Sequence, residues 1–118
     1  MEKTGSIPPS AVHLSLDDNG LHLNLSKGQE LHVHLRSSPS TGFDWHQAEL
    51  DDSILVEIDR VYKADSDALG SPNSLIITYH LIGAGTTRLV LHYQRVWEKE
   101  VPPLQTFMVN ITSASQQP

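Results

Sequence analysis

The chain has 118 residues, enough for one domain with a buried core and too few for two. Eight lysines and arginines against 14 aspartates and glutamates give a net charge of −6, and the scattered basic residues give no support to a nucleic-acid or anionic-membrane partner. With no cysteine there is no disulfide framework, thiolate metal site or thiol nucleophile.

The two ends of the chain are polar. We expect residues 1–10 to form a disordered lead, 11–113 a single domain and 114–118 a mobile tail. No stretch approaches the roughly 20 apolar residues of a transmembrane helix. The first residues lack the apolar run of a signal peptide; if a signal had been removed, a periplasmic or secreted location would be favoured.

Three strands are predicted in the first third of the chain, because apolar side chains alternate with polar ones there. A turn at Asn19-Gly20 predicts a hairpin between the first strand and the second, and Lys27-Gly28 makes the next turn. The apolar positions are Val12, Leu14 and Leu16, then Leu21, Leu23 and Leu25, then Leu31, Val33 and Leu35.

Five more strands follow at similar spacing. Glu57 and Asp59 are expected to face solvent, a polar connection spans 63–73, and Gly83-Ala84-Gly85 predicts a hairpin. The apolar positions are Phe43 and Trp45, then Ile54, Val56 and Ile58, then Leu75, Ile77, Tyr79 and Leu81, then Leu89, Leu91 and Tyr93, then Phe107, Val109 and Ile111. The pattern predicts an all-β protein, an immunoglobulin-like antiparallel β-sandwich of seven to eight strands, with a small barrel as the alternative.

Seven histidines raise the hypothesis of a zinc or copper site. His32 and His34 share one strand face, and His22 could lie on an adjacent strand. That face is opposite the leucines, and no carboxylate or cysteine recurs at a matching offset. The pattern therefore favours solvated surface histidines, with metal binding as a minor hypothesis.

Ser40, Asp44 and His46 are the residue types of a hydrolase triad within seven positions. On one strand, Asp44 and His46 would point the same way about 6.5–7 Å apart, and nothing would orient the histidine toward the serine. The spacing argues against this enzymatic reading.

Two stretches differ from the scaffold around them. In the first, Pro39 and Gly42 flank two small hydroxyl residues, Ser40 and Thr41, which predicts a stiff loop. In the second, Arg95-Val96-Trp97 follows a strand end, and tryptophan and arginine are enriched in binding hot spots. A tryptophan folded back over the end of the sandwich is the alternative for this second stretch.

These two stretches together resemble the chagasin family, small immunoglobulin-like inhibitors of papain-type cysteine peptidases, and favour a bacterial-type member. The family's first motif, Asn-Pro-Thr-Thr-Gly-Phe/Tyr followed by Trp, resembles Ser38-Pro39-Ser40-Thr41-Gly42-Phe43 with Trp45. Its third motif, Arg-Pro-Trp/Phe after a strand ending in Tyr, resembles Arg95-Val96-Trp97 after Tyr93. Its middle motif, Gly-x-Gly-Gly, falls on Gly70-Ser71-Pro72-Asn73, after Leu69, and keeps only the first glycine.

The resemblance implies a monomeric inhibitor, not an enzyme, without cofactor or metal, that binds papain-like peptidases of the cathepsin L type. Three loops would form a wedge in the substrate cleft: residues 38–43 (the first loop), 69–73 (the middle loop) and 95–97 (the third loop). It places Ser40 and Thr41 nearest the catalytic cysteine and histidine. Leu69 and Gly70 would lie on the non-primed side, and Arg95, Val96 and Trp97 on the primed side. A module that binds a protein or glycan through the same loops is the alternative.

Overall fold

The computed structural model describes residues 11–64 and 73–113. The expected lead (1–10) and tail (114–118), and Leu69 and Gly70 of the middle loop, lie outside these residues. The described strands are β1 (Val12–Ser15), β2 (His22–Leu25), β3 (Glu30–Ser37), β4 (Asp44–Glu49), β5 (Leu55–Ala64), β6 (Asn73–Leu81), β7 (Gly85–Gln94) and β8 (Gln105–Ser113).

The strands form two four-stranded sheets, with the orders β1-β3-β6-β5 and β2-β8-β7-β4. Strict alternation puts one face of each central strand inward, as in β6, where every second residue is buried. The two inward faces meet in one apolar core. The predicted all-β sandwich is confirmed, and both sheets place the C-terminal ends of β3 and β7 and the N-terminal end of β4 at one end of the molecule.

The predicted hairpin at Asn19-Gly20 is wrong. β1 pairs in parallel with β3 in one sheet, whereas β2 pairs in parallel with β8 in the other. A short 3-10 turn at Leu16–Asp18 carries the chain across, and the Asn19 side chain and Gly20 amide then bond the backbone of Met108 on β8 at 2.7 and 2.6 Å. The turn chemistry is as predicted, but docking on β8 decides which strand becomes the partner.

The inward face of β5 also differs from the prediction. Leu55, not Val56, is fully buried, and Ile58 is 52% exposed. The buried Leu55 pairs with the buried Leu81, so regular alternation already turns Val56 and Ile58 outward. An irregularity in the pairing with β6 between Glu57 and Asp59 then inserts an extra residue and shifts the alternation by one, so that Arg60 and Tyr62 lie on the same face as Leu55.

Trp45 links the core to the end of the sandwich where the predicted loops lie. Its ring is buried, and its Nε1 donates a hydrogen bond of 2.9 Å to the carbonyl of Arg36 near the end of β3. Because a buried indole N–H needs an acceptor, this bond fixes the ring between the two sheets. In residues 11–64 and 73–113, no helix has the length and apolar character to cross a membrane.

Candidate functional site

The first loop is a closed turn rather than an open connection. Pro39–Thr41 forms one 3-10 turn, in which the Thr41 amide donates to the carbonyl of Ser38 and the Gly42 amide to that of Pro39, both at 2.9 Å. The Thr41 hydroxyl donates to the same Ser38 carbonyl at 2.7 Å. Gly42 ends the turn at φ +87°, a left-handed conformation that glycine adopts without steric cost. The stiff loop predicted from the sequence is therefore present.

Arg95 ties the third loop to the first. Its Nε donates a hydrogen bond of 2.9 Å to the carbonyl of Thr41, and its guanidinium lies 4.3 Å from the centre of the Phe43 ring. Glu98 accepts a further contact from Arg95 at 3.4 Å. The guanidinium of Arg95 thus makes its hydrogen bonds within the protein, and one of them binds the backbone at the tip of the first loop.

Trp97 lies over Gly42. A Cβ atom placed on Gly42 would come within 2.1 Å of the Trp97 ring, so only a glycine leaves room for this contact. The residue nevertheless remains 63% exposed. Trp97 is therefore not folded back over the sandwich as a buried cap: one part of its ring packs on the first loop, and the rest faces solvent.

A column of rings connects the loops to the core. Trp45 contacts Tyr93 with ring centres 5.1 Å apart, and Tyr93 stacks on Phe43 at 5.5 Å. Arg95 covers the outer face of Phe43, and its guanidinium lies 5.9 Å from the Trp97 ring. Aromatic and cation–π contacts of this kind each contribute roughly 0.5–1.5 kcal/mol beyond apolar burial. The exposed loops therefore rest on a rigid stack that begins in the core.

Polar contacts fix the base of the first loop. Ser37 is fully buried, and its hydroxyl lies 2.8 Å from Asp44 Oδ1 and 3.2 Å from the carbonyl of Phe43. The Trp45 amide donates to the same Asp44 oxygen at 2.8 Å. Asp44 thus holds the two ends of the loop together, and none of its hydrogen bonds within the described residues goes to the triad partners Ser40 and His46.

The strands that lead to the middle loop end beside the first loop. Asn73, the first residue of β6, pairs with Ala64 at the end of β5 and with Ser37 at the end of β3. The hairpin predicted at Gly83-Ala84-Gly85 is wrong, because this stretch leads from β6 in one sheet to β7 in the other. It also resembles the family's middle motif, but it lies beyond Leu81, at the other end of β6. The placement of the middle motif on 70–73 therefore agrees with the topology of the described strands.

The sequence does not indicate how the first and third loops support one another. The resemblance implies that Arg95 and Trp97 contact the peptidase. The structure in addition gives each of them a contact with the first loop, Arg95 with Thr41 and Trp97 with Gly42. Gly42 is the residue that could have indicated the Trp97 contact, because a glycine within a loop indicates either a positive φ or a close neighbouring group. The contacts of Ser37 and Asp44 had no such signal.

Three of the seven histidines form a cluster on the outer face of the first sheet. His13 Nδ1 lies 2.9 Å from His34 Nε2, the rings of His13 and His32 are 4.8 Å apart, and His32 bonds Glu30 at 3.0 Å. The expectation that His22 neighbours His32 is wrong, because β2 belongs to the other sheet. Within residues 11–64 and 73–113, no three or more histidine, cysteine or acidic side chains are arranged to hold a metal ion.

This cluster predicts a loss of stability at mildly acidic pH. Burial and the neighbouring charges of His13 and His32 lower the pKa of His34 from its ordinary value of 6.5, and opposite His32 and His34 the neighbouring strand β6 presents only Thr78 and Ile76. Because the unfolded chain then takes up this proton more readily, stability is complete above pH 6.5 and falls as the pH drops through the lowered pKa. Urea unfolding at pH 7.5 and 5.0 measures this fall.

The matched variant for this prediction is His34→Gln, which keeps a polar side chain and removes the titration. Its free energy of unfolding is expected to change less between the two pH values than that of the wild type. If the free energy of unfolding falls by the same amount between pH 7.5 and 5.0 in both proteins, the assignment to His34 is wrong.

Comparison with known proteins agrees with this geometry. Residues 24–111 match the model of the chagasin family of I42 peptidase inhibitors. Amoebiasin-2 from Entamoeba histolytica is 28% identical over 106 residues, which cover 86% of this chain and 85% of that protein. The residues that the family model matches, 24–111, include the first and third loops and the ring column.

Solved structures have the same fold. The crystal structure of the cysteine protease inhibitor EhICP2 from Entamoeba histolytica superposes with a TM-score of 0.81 at 25% identity, covering 89% of this chain and 96% of that one. PbICP-C, in its complex with falcipain-2, matches in fold with a TM-score of 0.57 at 15% identity, covering 94% and 96%. The sandwich, its loop cluster and the match over 24–111 together show that this chain belongs to the chagasin family of peptidase inhibitors.

Proposed function

We propose that this protein is a reversible, non-covalent, competitive inhibitor of papain-like cysteine peptidases, and that the first and third loops enter the substrate cleft together. The observation that carries the proposal is the mutual support of the two loops through Arg95 and Trp97. A surface that is ordered before binding loses little conformational entropy in the complex, so more of its contact energy appears as affinity. Nanomolar inhibition is the expected range.

The tip of the first loop suits the cleft of a thiol peptidase. Pro39, Ser40 and Thr41 are exposed and small, so that their backbone can approach a catalytic thiolate closely. The 3-10 turn differs from the extended conformation of a bound substrate. No side chain is an electrophile for the thiolate, and the closed turn does not present its peptide carbonyls in the extended form that a peptidase cleaves, so the proposed inhibition is reversible and leaves no acyl-enzyme.

The partners of the related proteins support this choice of target. EhICP2 is a cysteine protease inhibitor, and PbICP-C binds falcipain-2. Leu69 and Gly70 of the middle loop are proposed to reach the non-primed side of the cleft, and Trp97 with Val96 to cover the primed side. Val96 is exposed next to Trp97, as such a contact requires.

The test is inhibition of papain and cathepsin L by the wild type and by Ser40→Asp. The added carboxylate would have to lose its water inside the cleft, so inhibition is expected to weaken at least tenfold, since burying an unpaired charge costs several kcal/mol. Ser26→Asp is the matched control, because it adds the same charge in the exposed turn between β2 and β3, at the other end of the sandwich. It is expected to inhibit as the wild type does.

The proposal is wrong if the wild type inhibits no papain-like peptidase at micromolar concentration. It is wrong in its geometry if Ser40→Asp and Ser26→Asp inhibit equally well. Thermal unfolding of both variants shows whether any loss comes from the fold. A silent peptidase panel would favour the second candidate, a module that binds another protein or a glycan through the exposed ring of Trp97.

A further inference from the structure

The two sheets present facing edge strands on the side of β4 and β5. β4 is the last strand of one sheet and β5 the last of the other, and they belong to no common ladder. Side chains bridge this side instead. We call the three residues Asp44, Arg60 and Tyr62 the polar clamp, because they join β5 of one sheet to β4 of the other at the base of the first loop.

Asp44 is the centre of the clamp. Its Oδ1 accepts hydrogen bonds from Ser37 and from the amide of Trp45, both at 2.8 Å, while its Oδ2 accepts one from the hydroxyl of Tyr62. Burial and this bond to Asp44 raise the pKa of Tyr62, so the phenol stays protonated and remains a donor at neutral pH. One carboxylate thus connects the end of β3, the start of β4 and the last third of β5.

Arg60, two residues before Tyr62 on β5, makes a second connection to β4. Its Nη1 donates to the carbonyl of Trp45 at 2.7 Å, and its Nε and Nη2 donate to the carboxylate of Glu57, both at 3.2 Å. Asp44 Oδ2 lies 3.9 Å from Nη1, so the guanidinium has a carboxylate on either side. Burial acts against the charge of Arg60, but the hydrogen bonds to Glu57 and Tyr62 outweigh it and raise the pKa of Arg60.

We propose that Asp44, Arg60 and Tyr62 are positioning residues for inhibition, which hold the first loop in its binding conformation although they lie on the side of the sandwich below the loop tip. This role rests on the proposed function. The contacts fix the two residues that flank the loop, and they do so across the two sheets, because Asp44 lies on β4 whereas Ser37 and Tyr62 lie on β3 and β5 of the other sheet. A displacement of Asp44, and with it of the end of the loop, must therefore break the bond to β5.

The expected signature is a slower association rate. If a variant populates the binding conformation only a fraction of the time, the apparent dissociation constant rises by the inverse of that fraction. Once the complex has formed, the peptidase itself holds the loop, so the dissociation rate stays nearly constant. Loss of a contact between a peptidase and the inhibitor would instead appear mainly in the dissociation rate.

The test compares Tyr62→Phe with Tyr79→Phe. Each variant removes one phenolic hydroxyl, from β5 or from the neighbouring strand β6. The Tyr79 hydroxyl is buried and has no hydrogen-bond partner among the described residues, so its removal leaves the clamp intact. Two measurements are made on both: amide hydrogen exchange, with the Thr41 and Gly42 amides as reporters of the loop turn, and the association and dissociation rates with papain.

For Tyr62→Phe we expect exchange at Thr41 and Gly42 about tenfold faster than in the wild type, and association about tenfold slower with an unchanged dissociation rate, since one hydrogen bond to a carboxylate is lost. Amides in the centre of β3 and β6 are expected to exchange as in the wild type. Asp44→Asn, which keeps the shape of the side chain and removes its charge, should change the same two quantities in the same direction. Tyr79→Phe should match the wild type in both.

The outcomes separate the clamp from the proposed function. If loop exchange is unchanged in Tyr62→Phe and Asp44→Asn, the clamp does not position the loop, whatever the peptidase assay gives. If the wild type inhibits nothing, the proposed function fails, while exchange still decides whether the clamp orders the loop. Faster exchange throughout the sandwich, or a change confined to dissociation, overturns the positioning role.

Discussion

Replacing Trp97 by alanine is expected to weaken inhibition about thirty-fold, or ~2 kcal/mol. The ring packs on Gly42, yet 63% of the residue faces solvent, so it combines a fixed orientation with a large surface for a partner. A tryptophan ordered in this way pays little entropy on binding. Titration of papain with the variant and the wild type measures the change in inhibition constant.

Ile82→Ala is the control for this prediction. Ile82 is also an exposed apolar residue, but it follows Leu81 at the end of β6 that lies away from the loops. Removing it should leave inhibition unchanged. An equal effect of the two substitutions, or none from Trp97→Ala, would show that the indole does not contact the peptidase.

Gly42→Ala is expected to weaken inhibition by a similar or larger factor, about 30- to 100-fold, through the conformation of both loops. The new Cβ would lie 2.1 Å from the Trp97 ring, so the ring must move. In addition, φ of +87° costs a non-glycine residue roughly 1–2 kcal/mol. The same titration measures the loss, and thermal unfolding shows how much stability is lost with it.

A double-mutant cycle separates the two causes. In the Trp97→Ala background the collision is absent and only the backbone strain remains, so Gly42→Ala should cost less than it does in the wild type. Residues in contact are expected to show such non-additivity of about 0.5–3 kcal/mol. Strictly additive losses would mean that the contact between Gly42 and Trp97 contributes nothing to inhibition.

Contacts with the first loop restrain the third loop, although the third loop lacks the proline of the family motif. Val96 stands where the family pattern has proline, so the backbone is not restrained there by a ring. Arg95 instead bonds Thr41 and Glu98, and the Glu98 amide bonds the carbonyl of Arg95 at 3.1 Å. Side-chain contacts between loops supply a restraint on this loop that the sequence of the loop itself does not.

Period-2 alternation by itself determined the sandwich and most of its core. The central strands β3 and β6 bury the residues that the pattern selected, because a central strand between two neighbours has one face toward the other sheet and one toward solvent. The sequence also predicted that the first and third loops differ from ordinary turns. Proline and glycine restrict the backbone of a short loop, and arginine and tryptophan are typical of binding surfaces. These are local properties, and they survive in any tertiary context.

Only the tertiary structure decided the partners of those elements. Asn19-Gly20 makes a turn, but the strand that follows it pairs with β8. The pairing of Leu55 with Leu81 places Ile58 outward, and the irregularity after Glu57 turns Arg60 and Tyr62 toward Asp44. Long-range contacts of this kind depend on which surfaces meet, and the local pattern of one strand or turn does not show that. For the same reason Arg95, Trp97 and Gly42 could each be singled out from the sequence, whereas only the folded chain shows that the third loop packs on the first.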